Sequence, residues 1–222
     1  MYRLFVDTAN IDDIKKAFER GVVSGVTTNP SLMAKEPKTN YVEHMKRICE
    51  VIEPYDAPPL SVEVFCKDVD GMYDQAHELI EQIGYSNINI KIPIGSEELK
   101  VISKLSKENV RVNCTCCFTP EQLALGALAG SRYVSLFYNR AIDAEETPQT
   151  SLAAAQTVII KNELDCEIIA GSIRKPFDIC DVWLQHGNIV TAGYNIIEQA
   201  FDHPGTKASV EGFMNDFKDW IE

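Results

Sequence analysis

The sequence has few of the features that mark membrane proteins or nucleic-acid-binding proteins. Its 222 residues contain no run of about 18 apolar residues that would span a bilayer. Basic residues are scarce, with 21 Lys and Arg against 33 Asp and Glu, which gives a formal net charge of −12. Nucleic acids and anionic membranes are repelled over most of such a surface. We therefore expect neither partner, and an anionic ligand needs a local basic pocket.

Signal-peptide and disulfide features are also missing. The N-terminal sequence MYRLFVDTAN has no long apolar stretch and carries the charged Asp7, so we expect folded structure there. The seven cysteines are an odd number, scattered along a chain too long to need disulfides, and reduced thiols in a cytoplasmic protein are the simplest interpretation. Cys114, Cys116 and Cys117 suggest a zinc site, but no histidine lies nearby in sequence to complete it. We predict no metal and no cofactor.

Low-complexity segments and linkers are absent too, and what the sequence contains is an alternation of strands and helices. Helix boundaries are indicated by Thr119 before Pro120, and by Gly130 and Gly187 after helical patterns. The predicted strands are 3–6, 22–26, 60–64, 87–92, 111–116, 133–137, 167–170 and 189–192. The helical patterns between them are 10–20, 41–53, 70–84, 96–108, 119–129, 151–162 and 175–186.

Eight strands, each followed by a helical segment, predict an α/β fold. We expect a single (β/α)8 TIM barrel domain over residues 1–222, with a C-terminal helix at about 207–220. The nearest alternative is a doubly wound open sheet, which usually carries a glycine-rich phosphate turn after its first strand. Here DTANID follows that strand, and neither a G-x-G-x-x-G nor a Walker sequence occurs. The barrel is therefore preferred.

Lys91 lies in the sequence INIKIP, where apolar residues alternate with polar ones in the period of a strand. One set of strand positions in such a barrel points inward, and the C-terminal strand ends form the active-site mouth. A lysine enclosed there loses hydration, which favours the neutral amine, a nucleophile that forms Schiff bases with ketones. The alternative is a lysine that pairs with a carboxylate only for packing.

Polar residues at other strand ends favour the catalytic alternative. Asp7 ends the first strand, and Glu63 interrupts the apolar run LSVEVF. Asn113 and Thr115 alternate within VNCTCCF, and Asn29 in TTNPS is held extended at the rim by the proline that follows it. Each has an ordinary explanation, such as a helix cap or a solvated strand residue. Together, enclosed in a barrel, they must bind one another or a ligand.

Seven ordered motifs resemble those of the transaldolase family, especially its short single-domain branch that includes fructose-6-phosphate aldolase. The motifs are FVDTAN, GVTTNPSL, SVEV, IKIP, NCTCCF, YVSLFYNR and GSIRK, and the resemblance covers essentially the whole chain. The resemblance implies a metal-free class I enzyme that works through a lysine Schiff base. Such an enzyme transfers a three-carbon dihydroxyacetone unit from a ketose donor to an aldehyde acceptor.

The resemblance also implies roles for individual residues. Lys91 is the Schiff-base lysine, and Asp7 is the acid/base that handles the C4 hydroxyl proton during C3–C4 cleavage. Glu63 and Thr115 match the pair that holds a proton-shuttling water. The dihydroxyacetone hydroxyls are expected to bind Asn29, Asn113 and Ser135, with Thr27 beside them. The substrate's terminal anion is expected to bind Arg140, Ser172 and Arg174.

Two positions bear on the choice between transfer and simple aldol cleavage. Related small aldolases carry a tyrosine where this chain has Phe137 and a glutamine where it has Glu63. A phenol near the iminium assists protonation of the carbanion and so releases dihydroxyacetone, whereas phenylalanine cannot donate a proton. The resemblance therefore implies transfer. Strand alternation is expected to direct Tyr138, Cys114 and Cys116 away from the site.

The terminal anion of the substrate is left open. Leu136 stands where the family commonly has proline, and Ile173 stands where phenylalanine is common, followed by the extra cation Lys175. A sugar phosphate such as fructose 6-phosphate or sedoheptulose 7-phosphate ranks first, with glyceraldehyde 3-phosphate as acceptor, and the sulfonate 6-deoxy-6-sulfofructose ranks second. The sequence is also compatible with a fructose-6-phosphate aldolase and with a non-enzymatic barrel that binds sugar phosphates or serves a structural role.

The C-terminal segment SVEGFMNDFKDWIE carries Phe213, Phe217 and Trp220 at helical spacing. An apolar face of this kind is expected to cover the barrel or a neighbouring subunit. We therefore expect a homo-oligomer.

Overall fold

The computed structural model describes residues 1–221 and contains a closed barrel of eight parallel strands, in chain order from β1 to β8. β8 pairs with β1 and so closes the barrel. Each predicted strand boundary lies within one residue of the observed one, and the predicted (β/α)8 barrel is confirmed. The strands are β1 Arg3–Asp7, β2 Val23–Thr27, β3 Leu60–Glu63, β4 Ile88–Pro93, β5 Val112–Cys117, β6 Tyr133–Phe137, β7 Glu167–Gly171 and β8 Ile189–Ala192.

The helices surround the barrel, and each long one lies close to its predicted position. Three helices, α2, α7 and α10, were not predicted: α2 and α7 have 4 and 6 residues, too few to show a helical period. The helices are α1 Ile11–Glu19, α2 Pro30–Met33, α3 Tyr41–Ile52, α4 Val69–Ile83, α5 Glu98–Lys107, α6 Pro120–Leu128, α7 Tyr138–Asp143, α8 Pro148–Lys161, α9 Pro176–Leu184, α10 Tyr194–Phe201, α11 Pro204–Asp216 and α12 Lys218–Ile221.

Side-chain caps fix several helix boundaries. Thr119 and Gln122 form a reciprocal capping box at the start of α6, as the Thr119 and Pro120 pattern predicts. After α6, Gly130 adopts a left-handed φ of 96° that glycine tolerates without strain. After α9 the left-handed residue is His186, with φ 69°, and not Gly187. The two glycines therefore act differently, although both follow a helix.

The barrel interior changes character along its axis. Phe5, Tyr133, Ile169 and Ile189 form a buried apolar cluster inside the barrel, separate from the main core between strands and helices. Gly25 permits this packing, since a Cβ there would lie 2.5 Å from the Phe5 ring. Because side chains alternate along a strand, the next inward positions lie nearer the C-terminal strand ends. Those positions are polar, and they form the candidate active site.

The C-terminal segment is exposed along its length. Phe213 and Trp220 are 70% and 80% exposed, so their apolar face does not cover the barrel of the same chain. The helix predicted at 207–220 is two helices, α11 and α12, that meet at Phe217. Among the helices of residues 1–221, none is long and apolar enough to cross a membrane.

Candidate active site

Lys91 lies in the middle of a polar cluster at the C-terminal end of the barrel. Its Nζ donates to the Thr28 carbonyl oxygen at 2.8 Å and lies 2.8 Å from Glu63 Oε2. Parallel pairing places Glu63 directly opposite Lys91, so both side chains point inward from neighbouring strands. Lys91 is only 4% exposed. A carboxylate therefore lies within hydrogen-bond distance of the amine, at a position where the amine is almost fully enclosed.

Asp7 is the second carboxylate of this cluster. Thr27 lies opposite it on β2 and donates from Oγ1 to Asp7 Oδ1 at 2.7 Å, and Thr191 lies 2.6 Å from Thr27. Burial raises the pKa of Asp7, while the charge of Lys91 and the Thr27 hydrogen bond oppose that rise. A raised pKa suits a carboxyl group that both takes and returns a proton near neutral pH.

A pocket with about 430 Å³ of empty space, partly open to solvent, gathers most of the predicted residues. The Thr115 hydroxyl on its wall is buried and has no hydrogen-bond partner within residues 1–221, so it is available to a ligand or a water. Thr191, Ile169 and Gly171 also contribute to the lining. The predicted residues that line this pocket are Asp7, Thr27, Asn29, Lys91, Thr115, Ser135, Phe137, Arg140 and Ser172.

Asn113 lies beneath the pocket and does not line it. Its Oδ1 accepts a hydrogen bond from Ser135 Oγ at 2.6 Å, and its Nδ2 donates to Ser61 Oγ at 3.2 Å. Asn113 therefore orients the Ser135 hydroxyl, which does line the pocket. Asn29 has two roles. Its Oδ1 caps α2 by accepting a hydrogen bond from the Leu32 amide, and the residue also lines the pocket.

Arg140 supplies the positive charge at the pocket rim. It lies in α7, directly after β6, and its guanidinium carbon is 4.3 Å from the centre of the Phe137 ring. Phe118 packs edge-on against that ring at 5.8 Å. Ser172 follows β7 in a left-handed conformation with φ 60°. A cation stacked on an aromatic ring and a hydroxyl thus lie on one rim.

Arg174 is the predicted residue that the structure places elsewhere. Its guanidinium forms a bidentate ion pair with Asp143, in which Nη1 is 2.9 Å from Oδ1. Both side chains are about half exposed. Arg174 lines a neighbouring groove together with Lys35, and Asp7 lines both the groove and the pocket. The three residues predicted for the terminal anion are therefore not gathered in one pocket.

Known proteins resemble this chain over its whole length. A family profile described as Transaldolase/Fructose-6-phosphate aldolase matches residues 4–221. The chain belongs to this family. Proteins named "Probable transaldolase" from Dehalococcoides mccartyi and from Clostridium botulinum (strain Eklund 17B / Type B) are 39% and 38% identical to it over 216 residues, 97% of this chain and 98% of each relative. One from Thermodesulfovibrio yellowstonii is 38% identical over 218 residues, 98% of this chain and 97% of the relative.

The transaldolase/fructose-6-phosphate aldolase match confirms the family predicted from the seven motifs. It also agrees with the predicted enzyme class, a transferase of the transaldolase type. The chain and these three relatives have nearly the same length, so the match is not confined to one segment.

Sequence reasoning missed two groups that this family member places beside Lys91 and Asp7. The Thr28 carbonyl oxygen accepts from Lys91, and no sequence pattern reports a backbone carbonyl. Thr191 binds Thr27 and lines the pocket. Thr191 is a polar residue in the apolar strand IVTA, as Glu63 is in LSVEVF. The same sequence pattern therefore could have identified it as a site residue.

The backbone departs from a regular strand at two places near the site. The register of β5 against β6 shifts between Cys114 and Cys117, and Cys116 adopts a positive φ of 63°. Cys116 was expected to face away, and it is not among the residues that line the pocket. Burial raises its thiol pKa, the charge of Glu63 adds to that rise, and the charge of Lys91 opposes it. Tyr138 does point away, but it does so as the first residue of α7, with its hydroxyl donating to Asp181.

Metal ligation has no arranged site in the described chain. Within residues 1–221 there is no group of three or more His, Cys, Asp or Glu side chains placed to hold a metal ion. Cys114 faces the helices, since its Sγ lies 2.8 Å from where a Gly126 Cβ would be. That no cofactor is used stays a prediction.

Proposed function

We propose that this protein is a transaldolase that transfers a dihydroxyacetone unit from an anionic ketose to an aldehyde through a Schiff base on Lys91. The observation that carries the proposal is the enclosure of Lys91 Nζ, 2.8 Å from Glu63 Oε2, in one pocket with Asp7. Two carboxylates around one enclosed amine supply both proton acceptors that the reaction needs. The names of the similar proteins support the same reaction.

The first step forms the Schiff base. Glu63 takes one proton from the Lys91 ammonium, and the neutral amine then adds to the C2 carbonyl of the ketose. A second proton moves from the nitrogen to the C2 oxygen, and the proton returned by Glu63 lets the C2 hydroxyl leave as water, which gives an iminium. The free hydroxyl of Thr115 holds the water that carries protons between these groups. The hydroxyl of Ser135, oriented by Asn113, binds a hydroxyl of the dihydroxyacetone unit.

The second step breaks the C3–C4 bond. Asp7 takes the proton of the C4 hydroxyl, the C4 carbon becomes the aldehyde of the departing product, and the bond electrons move to C3 and into the iminium. The resulting enamine attacks the carbonyl of an incoming aldehyde, and Asp7 returns its proton to the new alkoxide. Hydrolysis of the iminium then releases the new ketose and regenerates Lys91. Each proton that Asp7 removes is thus restored.

Transfer is proposed over simple cleavage because the apolar Phe137 ring occupies the place where a proton donor would protonate the enamine and so release free dihydroxyacetone. Phe137 lines the pocket, and the hydroxyl of its neighbour Tyr138 is bound to Asp181 outside the pocket. Protonation of C3 is therefore slow, and the enamine persists until an aldehyde arrives. A fructose-6-phosphate aldolase therefore ranks below a transaldolase, and a non-enzymatic barrel that binds sugar phosphates or serves a structural role ranks below both.

Arg140 and Ser172 are proposed to bind the terminal anion of the ketose. A phosphate, as in fructose 6-phosphate or sedoheptulose 7-phosphate, is the first candidate, with glyceraldehyde 3-phosphate as acceptor. One observation keeps the sulfonate 6-deoxy-6-sulfofructose as second candidate: the pocket is lined by one guanidinium, because Arg174 is paired with Asp143. A single cation is matched to one negative charge, whereas a phosphate monoester carries nearly two.

We also propose that the protein is a cytoplasmic homo-oligomer. The apolar side chains of α11 and α12, which include Phe213 and Trp220, are exposed in the single chain, and contact with another copy would bury them. An acidic chain with free cysteines suits a reducing compartment. Nucleic acid and membrane are not proposed as partners.

The deciding experiment is reductive trapping. Wild-type protein incubated with dihydroxyacetone or fructose 6-phosphate and then borohydride should gain the mass of one reduced three-carbon unit, and peptide mapping should place it on Lys91. Lys91→Met should gain nothing, and the matched control Lys100→Met, which changes an exposed helix lysine, should be labelled like the wild type. Absence of any adduct on the wild type with each ketose would end the proposal.

Steady-state kinetics would then identify the donor. Fructose 6-phosphate and 6-deoxy-6-sulfofructose, each supplied with glyceraldehyde 3-phosphate, compete for the same Lys91 site. The donor with the larger kcat/KM identifies the terminal anion as a phosphate or a sulfonate.

A further inference from the structure

Asp178 is a buried carboxylate in the first turn of α9, outside the pocket. It is 6% exposed, and its Oδ2 accepts three hydrogen bonds: from Asn139 Nδ2 at 2.7 Å and from the Arg174 and Lys175 amides at 3.1 Å each. A buried carboxylate is tolerated only when hydrogen bonds replace its water. Two of these donors belong to its own segment and act as a helix cap. The third does not.

Asn139 comes from the other side of the rim. It lies in α7, directly before Arg140, and it is also 6% exposed. One carboxylate oxygen therefore joins the backbone of Arg174 to the residue that precedes Arg140. The contact thus connects the residue next to Arg140 with the segment that follows Ser172.

Two further contacts connect the same segments. Arg174 pairs with Asp143 at the end of α7, but that pair is half exposed and can open to solvent or to a ligand. Tyr138 donates to Asp181, and Gln149 Nε2 donates to the Tyr138 hydroxyl at 2.9 Å. Of the contacts between α7 and the β7–α9 segment, the Asn139–Asp178 bond is the buried one that reaches the backbone of Arg174.

We propose that Asn139 and Asp178 are positioning residues that hold Arg140 in place relative to the β7–α9 segment that carries Ser172, and thereby set the affinity for the substrate's terminal anion. The inference rests on the proposed function, since it assumes a ketose with such an anion. Neither residue lines the pocket, so each acts only through the positions of Arg140 and Ser172. Their loss should therefore weaken anion binding and leave the chemistry at Lys91 unchanged.

The test uses Asn139→Ala, because Asp178 also caps α9 and its removal endangers the fold. KM for the anionic ketose should rise about tenfold, as for one lost hydrogen bond to a charged group, at nearly unchanged kcat. The dissociation constant for inorganic phosphate, measured by calorimetry, should rise in parallel. Borohydride trapping of neutral dihydroxyacetone on Lys91 should keep its wild-type yield.

The matched control is Asn87→Ala, which removes a 2.9 Å bond from Asn87 Nδ2 to the Ala57 carbonyl oxygen before β4, at the opposite end of the barrel. It should leave KM and phosphate affinity unchanged. An exchange of the two residues gives a rescue variant. Asn139→Asp alone places two carboxylates next to each other, which repel. Asn139→Asp combined with Asp178→Asn restores one hydrogen-bond donor and one acceptor, with the amide now at position 178. The double variant should recover most of the affinity that Asn139→Asp loses.

The outcomes separate the two proposals. Folded Asn139→Ala with wild-type KM and wild-type phosphate affinity overturns the positioning role, and so does an equal fall in trapping and in phosphate affinity, which indicates general damage. If Asn139→Ala does not fold, failure of the double variant to regain phosphate affinity overturns it instead. A wild type that traps no dihydroxyacetone refutes the proposed function, and the phosphate measurements still decide the positioning role.

Discussion

Lys91 and Glu63 form a buried ion pair across the register of β3 and β4, with Nζ 2.8 Å from Oε2. The pair is the most enclosed salt bridge among those found in residues 1–221, with side-chain exposures of 6% and 13%. Enclosed charges depend strongly on their partners, because water cannot replace a partner that is lost. The stability of the barrel and its chemistry are therefore linked at this pair.

Glu63→Ala should lower the free energy of unfolding by about 3 kcal/mol at pH 7, because it leaves Lys91 without its buried partner. Glu63→Ala combined with Lys91→Met should be more stable than Glu63→Ala alone, since the unpaired amine is then gone. Urea denaturation followed by circular dichroism measures both. Equal stability of wild type and Glu63→Ala would show that the pair contributes nothing to folding.

Asp7→Asn should make the protein more stable and less active. Burial raises the pKa of Asp7, so the fold favours the protonated carboxyl over the carboxylate. The stability from this preference is present below the ordinary pKa of 3.8 and is lost as pH rises through the raised value in the folded state. The neutral amide avoids that loss, so thermal unfolding at pH 7 should move to higher temperature, and the gain should vanish near pH 3.

The same substitution should reduce the rate of ketose cleavage by roughly 10²–10⁴-fold, as for the loss of a positioned acid/base. Schiff-base formation does not need Asp7, so borohydride trapping on Lys91 should persist. A variant that cleaves ketose at the wild-type rate would leave Asp7 only a structural role.

Thr27→Val should move the acidic limb of the activity profile to higher pH. The Thr27 hydroxyl donates to Asp7 and so lowers the pKa that burial raises. Without that donor the carboxyl holds its proton more tightly, and less of it is ionised at a given pH. The pH dependence of kcat/KM gives the limb directly. Thr191→Val leaves the Thr27 hydroxyl in place and should shift the acidic limb less. If the acidic limb lies at the same pH in the wild type and both variants, the ionisation of Asp7 does not determine it.

The fold was predictable because strand and helix periods alternate without interruption. The eight strands were located within one residue, since each is a short apolar run between helical patterns. Polar residues in such runs identified the inward positions of Asp7, Glu63, Lys91 and Thr115. The prediction worked wherever regular alternation decides which way a side chain points.

The rest of the site depends on backbone irregularity and on contacts between distant segments. The register shift in β5 gives Cys116 a positive φ, and no residue pattern in NCTCCF reports it. Arg174 was assigned to the rim by resemblance, but its direction is determined by Asp143, 31 residues away in sequence. A contact of that kind follows from the packing of the end of α7 against the loop after β7, which the sequence of neither segment reveals.

Phe137→Tyr should raise the ratio of free dihydroxyacetone release to transfer. The ring lines the pocket beside Arg140, so a phenol at this position reaches the space in which the enamine forms. A phenol that donates a proton to C3 ends the enamine before an acceptor arrives. Coupled assays for dihydroxyacetone and for the new ketose measure the ratio at fixed acceptor concentration. An unchanged ratio with a folded variant would show that residue 137 does not control the branch.

Arg140 and Arg174 occupy different places near the site, although both were predicted to bind the terminal anion. Arg140 lines the pocket beside the Phe137 ring, whereas Arg174 is held by Asp143 beside a neighbouring groove. Arg140→Ala should therefore raise KM for the anionic ketose more than Arg174→Ala does. The loss of binding free energy in Arg140→Ala should be ~1.5–3 kcal/mol, as for one lost charge-assisted hydrogen bond.

Asp143→Asn then separates two roles for Arg174. If the anion binds Arg174, it must compete with Asp143 for the same guanidinium, and removing the charge of Asp143 should lower KM for the anionic ketose. Trapping of neutral dihydroxyacetone on Lys91 should stay unchanged in each variant, because that ligand has no anion. If Asp143→Asn and Arg174→Ala both leave KM at its wild-type value, Arg174 takes no part in substrate binding, and Arg140 with Ser172 forms the whole anion site.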